Sequence, residues 1–414
     1  MSATDLAKQS LNGLTTYRLR TFLTIFGIMW GIAAFIFSRA ILDGFQYDQQ
    51  QRFAALGKDV VVIYNGRTSL AGAGLMAGRD VQLTLDDVEV LAQSCQWIKN
   101  LSPELIRRNL PVESQREQIT ASVYGVWPVF QQLRSFEAAV GRLLNYADQQ
   151  QARRVCFLGA ELADQLLGEH PSVPSEIKIA GVPYRVVGTA RKKPQGATLQ
   201  GSDDRRLLLP LSSAARDFSS GLSNPRMITS IIVQPSATKY HEQLVREARI
   251  ILARRHRFAV EDTDALGVFD TVETARDLDR VFSGMRHFGD LTAIITVLIG
   301  SIGVMNIMLI SIRERTREIG VRRSIGARNR HIFLQFLSEG LLLTSLGGML
   351  GMLLGCGLAL LLRTIPIPDF AAPIVRPWPM LWACAIISLV GIAAALYPTW
   401  QAVKIRPVEA LRYE

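Results

Sequence analysis

Four stretches of this chain are nearly free of charge and long enough to cross a bilayer: Phe22–Leu42, Leu291–Ile312, Ile332–Leu362 (uncharged from Gly340) and Trp378–Trp400. A membrane helix needs about 20 apolar residues, so each reads as a span. Gly27-x-x-x-Gly31 in the first and Gly347-x-x-x-Gly351-x-x-x-Gly355 in the third place small residues one helical turn apart. Such a row lets a neighbouring helix approach closely, although small residues are frequent in membrane helices generally.

The long segment between the first and second spans follows a different pattern. Asp59–Tyr64, Gln118–Val126, Arg154–Gly159, Leu207–Leu211 and Ile228–Val233 are β-branched or alternating runs and predict strands. Glu176–Thr189 predicts a hairpin turned at Ala180-Gly181. Thr84–Ala92, with Thr84 as N-cap, Ala160–Leu167 and Lys239–Arg255 predict helices. The mixture argues for an α+β domain over 43–289. The glycine-containing pieces Asn65–Gly78 and Lys192–Ser202 are expected to be mobile loops.

Charge orients the spans. The chain has 414 residues, is 49% hydrophobic and carries a net charge of +10. Lys8, Arg18 and Arg20 precede the first span, and Lys404, Arg406 and Arg412 follow the fourth. Residues 313–330 hold seven arginines and two glutamates between the second and third spans. Short basic flanks stay in the cytoplasm, while long translocated domains escape that rule. Both termini and the basic segment 313–331 are therefore expected inside, with 43–289 and the short loop 363–377 outside. The spans are then 21–42, 290–312, 332–362 and 378–400, with 401–414 as a cytoplasmic tail. Arg39, near the outer end of the first span, is expected to reach the headgroups. Leu6, Leu11 and Leu14 suit an interfacial helix over 1–20, the alternative being a frayed polar tail. A cleaved signal peptide is disfavoured, because the apolar run is long and Phe37-Ser-Arg39 is a poor cleavage site. Ile319, Val321 and Ile325, spaced among the arginines, suggest at least one helical turn pressed on a partner.

Little in the chain suggests catalysis. Gly72-Ala-Gly74-Leu-Met-Ala77 matches a dinucleotide fingerprint in letters, but seven residues separate it from the preceding strand. His241-Glu242 begins like a zinc-protease helix, yet Val245 stands where a second histidine is required. No phosphate-binding loop with its lysine occurs, so no ATP site and no metal or cofactor site is expected on this chain. Nucleic acid is not implied either, because the arginines concentrate at one bilayer face. Cys356 and Cys384 fall within spans, and Cys95 and Cys156 in the outer domain read as buried thiols, with a disulfide left open. The spans hold few ionisable groups; Asp290 and Glu339 sit at their ends and Asn306 is the main polar residue at mid-depth. Transporters of polar solutes usually show paired charges or broken helices there.

Several motifs together resemble the MacB/FtsX-type ABC transporter permeases, the mechanotransmission class. They are Arg315–Arg328, Phe336-Leu-Ser-Glu-Gly340 followed by Gly347, Gly348 and Gly351, Tyr397-Pro398, and Arg406-Pro-Val-Glu-Ala-Leu-Arg412. Upstream, Arg20–Gly27, Gly141-Arg142, Arg154–Gly159 and Val186-Val-Gly188 are similar to the macrolide-exporter branch. The resemblance implies four transmembrane α-helices plus a large α+β extracytoplasmic domain with an inserted mainly-β subdomain, here about 127–225. It implies a bacterial inner-membrane permease that pairs with a second permease chain and with a separate cytoplasmic ATPase subunit, which holds the ATP and Mg. Relatives in Gram-negative bacteria often engage a periplasmic adaptor and an outer-membrane channel. Glu314, Arg317, Glu318, Ile319, Gly320, Arg322, Arg323 and Gly326 match the segment that couples to the ATPase. The implied function is non-enzymatic: export of a drug, peptide, siderophore or lipid-linked substrate from the periplasmic side. Two alternatives remain, a lipoprotein-extracting permease with a groove open to lipid between the first two spans of paired chains, and a non-transport transmembrane regulator of an extracytoplasmic partner.

Overall fold

The computed structural model describes residues 18–404 except 56, 58, 73, 169–171, 194–200, 220–223, 366, 368 and 369. The expected interfacial helix, the motif Arg406–Arg412 and most of the loop Lys192–Ser202 lie outside the described residues. The chain divides into two compact units, 49–278, and 1–48 together with 279–414.

In chain order, helix α1 (Arg18–Ala55) leads to strands β1 (Val61–Arg67) and β2 (Asp80–Val81), then α2 (Leu85–Ser94). Strands β3 (Ile98–Glu113) and β4 (Gln118–Val126) precede α3 (Val129–Leu133), β5 (Ala138–Gly141), α4 (Tyr146–Gln150), β6 (Val155–Leu158) and α5 (Ala160–Leu167). The hairpin β7 (Ser175–Ile179) and β8 (Val182–Ala190) is followed by β9 (Leu207–Pro210), α6 (Leu211–Phe218), β10 (Ser230–Pro235), α7 (His241–His256) and β11 (Leu266–Asp270). The rest is helical: α8 (Thr271–Glu314), α9 (Thr316–Ser324), α10 (Asn329–Thr364) and α11 (Pro377–Lys404).

Helices α1, α8, α10 and α11 are each long and apolar enough to span a bilayer. Two exceed their apolar runs. Helix α1 continues past Leu42 because Gln46, Gln49, Gln50, Gln51 and Arg52 are tolerant helix formers and no proline intervenes. Helix α8 starts at Thr271, well before Leu291, where the carboxylate of Asp270 accepts from the Val272 and Glu273 amides at 2.8 and 3.3 Å. Asp270 thereby satisfies donors that a helix start leaves open.

Glycines set the bundle's packing. A Cβ on Gly351 or Gly355 would lie 2.6 or 2.8 Å from the carbonyl oxygens of Met29 and Ala33, and one on Gly347 would crowd Ile28. Helices α1 and α10 therefore meet backbone to backbone along that row, a contact open only to the smallest residues. Gly31 faces Thr296 of α8. Gly27, expected to pack with it, instead has nothing within 4 Å of where its Cβ would be. Residues four apart share a helix face, so Gly27 and Gly31 point the same way, but of the two only Gly31 has α8 close to it. The outward surface carries Phe22, Trp30, Ile299, Leu353 and Leu389, all exposed. That pattern is stable only against an apolar solvent. Arg39 does not extend to the headgroups as expected; it pairs with Asp290 of α8 at 3.2 Å. A nearby carboxylate satisfies a charge at membrane depth more fully than snorkelling does.

The other unit, 49–278, is built on one sheet of eleven strands. Its pairing closes a ring, β3–β4–β9–β6–β8–β7 and back to β3. Strands β6, β7, β8 and β9 thus close a small barrel only together with β3 and β4. Val123, Leu158, Ile177, Tyr184, Val186 and Leu207 fill its interior, while Phe130, Phe136 and Leu144 pack with Val60 and Val62 in another core. The hairpin turns at Ala180-Gly181, both with positive φ (46° and 81°), the geometry of a tight hairpin turn. Helix α2 opens with a capping box between Thr84 and Asp87. Cys95 and Cys156 are free thiols buried in different cores, and burial pushes Cys95 up to about 11.

Several elements differ from expectation. Strand β1 runs on to Arg67, and the following loop is pinned rather than mobile: the Asp262 carboxylate accepts from the Ser69 and Leu70 amides at 2.8 and 3.0 Å. Leu211 begins a helix instead of ending a strand. Strand β3 had no apolar signature, because its buried centre includes Glu104. That carboxylate is fully enclosed and held by Arg206 at 2.8 Å and Ser230 at 2.6 Å, while Arg206 also lies on the Tyr124 ring. Asp203 joins the group through its ion pair with Arg206 at 3.0 Å and also accepts from Arg134 at 2.7 Å. Burial opposes its charge, but Arg134, Arg206 and Lys193 outweigh this and hold its carboxyl below the usual range.

Two predictions follow from packing and charge. Gly351→Leu should cost at least about 1–3 kcal/mol, seen as a clear fall in thermal midpoint of the detergent-solubilised chain, while Gly27→Leu should leave it unchanged. Asp217 is hydrogen-bonded by Arg216, Arg154 and Tyr184, each at 2.8 Å, and Arg216 first among them lowers its carboxyl well below the ordinary value. A depressed carboxylate stabilises the fold above the unfolded-state value and loses that contribution as pH falls through the folded one. Asp217→Asn should therefore destabilise most at neutral pH, with the difference from the unsubstituted chain shrinking below about pH 4 in thermal melts.

Candidate coupling element between the second and third spans

Helix α8 ends at Glu314, and α9 occupies the middle of the basic segment. The break falls at Arg315, whose backbone (φ −95°, ψ 13°) leaves helical geometry. The Thr316 hydroxyl donates back to the Arg313 carbonyl at 2.7 Å. Glu318 in the first turn and Arg322 and Arg323 in the last complement the helix dipole. The end is fixed by Gly326 at φ 97°: its amide donates to the Arg323 carbonyl and the Ala327 amide to that of Arg322, at 3.1 and 3.0 Å. This is the reversal that glycine makes at a helix C-terminus without a Cβ penalty.

Helix α9 has two faces. Ile319 is 3% exposed and belongs to the same apolar cluster as Ile312, Ile332, Phe336 and Ala402; Gly320 is buried beside it. Three arginines staple this face to the bundle. Arg315 pairs with Glu339 of α10 at 3.1 Å, Arg322 donates to the Gln335 amide oxygen at 2.8 Å, and Arg323 donates to the Val403 carbonyl of α11 at 2.9 Å. The opposite face presents Arg317, Glu318 and Val321, followed by Ile325, which is 81% exposed. The positions 315, 319, 322 and 323 inward, and 314, 317, 318, 321 and 325 outward, follow the helical period. A free apolar side chain ringed by mixed charges has the make-up of a protein contact.

The eight residues matched from sequence therefore separate. Glu314, Arg317, Glu318 and Gly326 are exposed; Ile319 and Gly320 are buried; Arg322 and Arg323 are partly buried and engaged inside the chain. Arg322, matched to the coupling segment, has its guanidinium on the Gln335 amide oxygen inside the chain. Sequence reasoning missed Arg315, Gln335 and Glu339 as a linked set. Gln335 and Glu339 are four apart on α10 and both buried, a spacing that could have flagged a polar stripe. Among the described residues, no group of three His, Cys, Asp or Glu side chains could hold a metal. His241 bonds Asp270 instead.

A double-mutant cycle on Arg315→Met and Glu339→Met should give a coupling energy of about 1–3 kcal/mol by chemical denaturation. Strict additivity would show that the pair does not hold α9.

Residues 21–250, more than half of the chain, match the family described as MacB-like periplasmic core domain, and residues 291–407 match the FtsX-like permease C-terminal family. The macrolide export ATP-binding/permease protein MacB of Bdellovibrio bacteriovorus is 30% identical over 414 residues, covering 98% of this chain and 61% of that protein. The MacB of Syntrophobacter fumaroxidans is 29% identical, with 98% and 63% covered. The chain thus spans about three fifths of the length of these relatives. An uncharacterized ABC transporter permease, YvrN of Bacillus subtilis, is 29% identical with 98% of both chains covered. The solved periplasmic region of MacB from Actinobacillus actinomycetemcomitans aligns with a TM-score of 0.42 at 18% identity, covering 55% of this chain and 96% of that one. With its four spanning helices, this chain is a multi-pass membrane protein and belongs to the MacB/FtsX-type family of ABC transporter permeases.

Proposed function

We propose that this chain is the permease subunit through which a separate cytoplasmic ATPase drives export by moving an extracytoplasmic domain. The observation that carries the reading is the two-faced helix α9, stapled inward by Arg315, Arg322 and Arg323 and open outward at Glu318, Val321 and Ile325. A push on the outward face reaches α10 and α11 through short charged bonds rather than through a flexible loop. Helices α1 and α8, of 38 and 44 residues, would extend about 57 and 66 Å at 1.5 Å per residue, well beyond a hydrocarbon core of about 30 Å. Continuous helices of that length suit the transmission of movement across the bilayer. In this reading the basic segment and both termini are cytoplasmic, the permease acts as a pair, and an adaptor with an outer-membrane channel can complete the export path.

A lipid-linked cargo is the second reading, favoured by one feature. An apolar cavity of about 510 Å³ lies between α1 and α8, lined by Phe35, Leu42, Met285, Phe288 and Ala293 among others. Its walls suit an acyl chain, as extraction of a lipoprotein requires.

The test is reconstitution with the ATP-hydrolysing subunit that co-purifies from native membranes. Glu318→Lys should reduce permease-dependent stimulation of ATP hydrolysis at least tenfold while leaving the chain's thermal midpoint unchanged. Undiminished stimulation would remove the coupling role.

A further inference from the structure

The outer side of the barrel carries a cavity of about 340 Å³, a size within that of small-molecule sites, about 300–1,000 Å³. Arg154 just before β6, Pro174 and Glu176 at the start of β7, and Pro183 and Arg185 of β8 line it. Glu176 and Arg185 are directly opposed in the β7–β8 ladder and alternate with Ile177 and Tyr184, which fill the barrel interior. Opposed residues lie about 4.5–5.5 Å apart at Cβ, close enough for opposite charges to pair. Here neither side chain makes a hydrogen bond or ion pair among the described residues, and both are exposed. The Arg185 amide donates to the Arg154 carbonyl at 2.9 Å, which sets the two arginines on neighbouring strands. Arg154 bonds Asp217 at 2.8 and 3.1 Å, but Arg216 grips the same carboxylate at 2.8 and 3.1 Å. Two guanidinium groups thus share one negative charge. The cavity keeps a surplus of positive charge at Arg154 and Arg185, facing the single unpaired carboxylate of Glu176.

The occupant has to answer both signs. A simple anion would bring its charge against Glu176, and a simple cation would meet two arginines. A protein face needs about 800 Å² on each partner and a buried aromatic or aliphatic anchor. Between Tyr146 and Val260 no large apolar side chain is exposed among the described residues, so this surface offers no such anchor. A small zwitterion satisfies both charged walls at once, and the rings of Pro174 and Pro183 leave an apolar place for its side chain. We propose that this cavity binds a free α-amino acid with an apolar side chain, its carboxylate held by Arg185 and Arg154 and its ammonium by Glu176. The site belongs to the barrel and stands whether or not α9 couples to an ATPase.

The experiment titrates L-leucine into the detergent-solubilised full chain by calorimetry, beside 4-methylpentanoate and 3-methylbutylamine, which keep the leucine side chain and one charge each. Leucine should saturate, and each analogue should bind at least about tenfold more weakly, the effect of losing one charge-assisted hydrogen bond. Glu176→Gln should remove the preference for leucine over 4-methylpentanoate, and Arg185→Gln the preference over 3-methylbutylamine. Lys178→Gln, exposed on the same strand but outside the cavity, should leave leucine binding unchanged. Should a variant fail to fold, the comparison of leucine with its two analogues on the unsubstituted chain still decides. No saturable leucine binding, equal binding of leucine and either analogue, or undiminished preference in both Glu176→Gln and Arg185→Gln would overturn the site.

Discussion

The proposed coupling depends on how the short basic helix is fastened to the bundle. Arg315 reaches Glu339, Arg322 reaches Gln335, and Arg323 reaches the Val403 carbonyl, so α9 is tied at both its ends, and to two spans at once. Ile319 seats the same face in the apolar cluster. Charged bonds of this kind are directional, and Glu339 is buried enough that water competes for it poorly. Without them α9 would be a basic loop that defines topology and nothing more. With them its exposed residues stand on a helix bonded to α10 and α11.

The remaining packing adds to that fastening. Gly347, Gly351 and Gly355 bring α10 against the backbone of α1, and Gly348 and Gly391 bring it against α11. Helices in contact at the backbone have few rotamers to absorb a displacement, so under the proposed mechanism movement of α10 would be passed on rather than dissipated. The unit 49–278 is made rigid by other means. Its insertion closes a ring with β3 and β4, and buried charges at Glu104, Asp203 and Arg206 fix where those strands meet. Breaking such a group leaves an uncompensated buried charge, which opposes partial opening.

Much of this was legible in the sequence, for definite reasons. The spans announce themselves because lipid demands long uncharged helices, and the basic segment stands out because seven arginines in so short a stretch have no place elsewhere. The hairpin at Ala180-Gly181 and the strand Gln118–Val126 have local signatures, and both formed where expected. Strand β3 was hidden because Pro103, Glu104, Asn109 and Pro111 interrupt its alternation, and only its partners β4, β7 and β10 explain it. In the coupling element the residue types were visible, but their division into inward and outward faces was not. That division depends on Glu339, Gln335 and Val403, which lie between 13 and 80 residues from the arginines they hold. Gly27 failed for the same reason: a motif gives spacing, while the crossing of α1 over its neighbours decides which glycine is covered.

The claim that α9 and α10 move as one body can be tested directly. Spin labels at the exposed positions Ser324 and Leu353 would report their separation by pulsed electron paramagnetic resonance, in the reconstituted complex with and without bound ATP. The account predicts one narrow distance peak that keeps its position when nucleotide binds. A peak that broadens or shifts on ATP binding would show that α9 slides on the bundle, and would contradict the account.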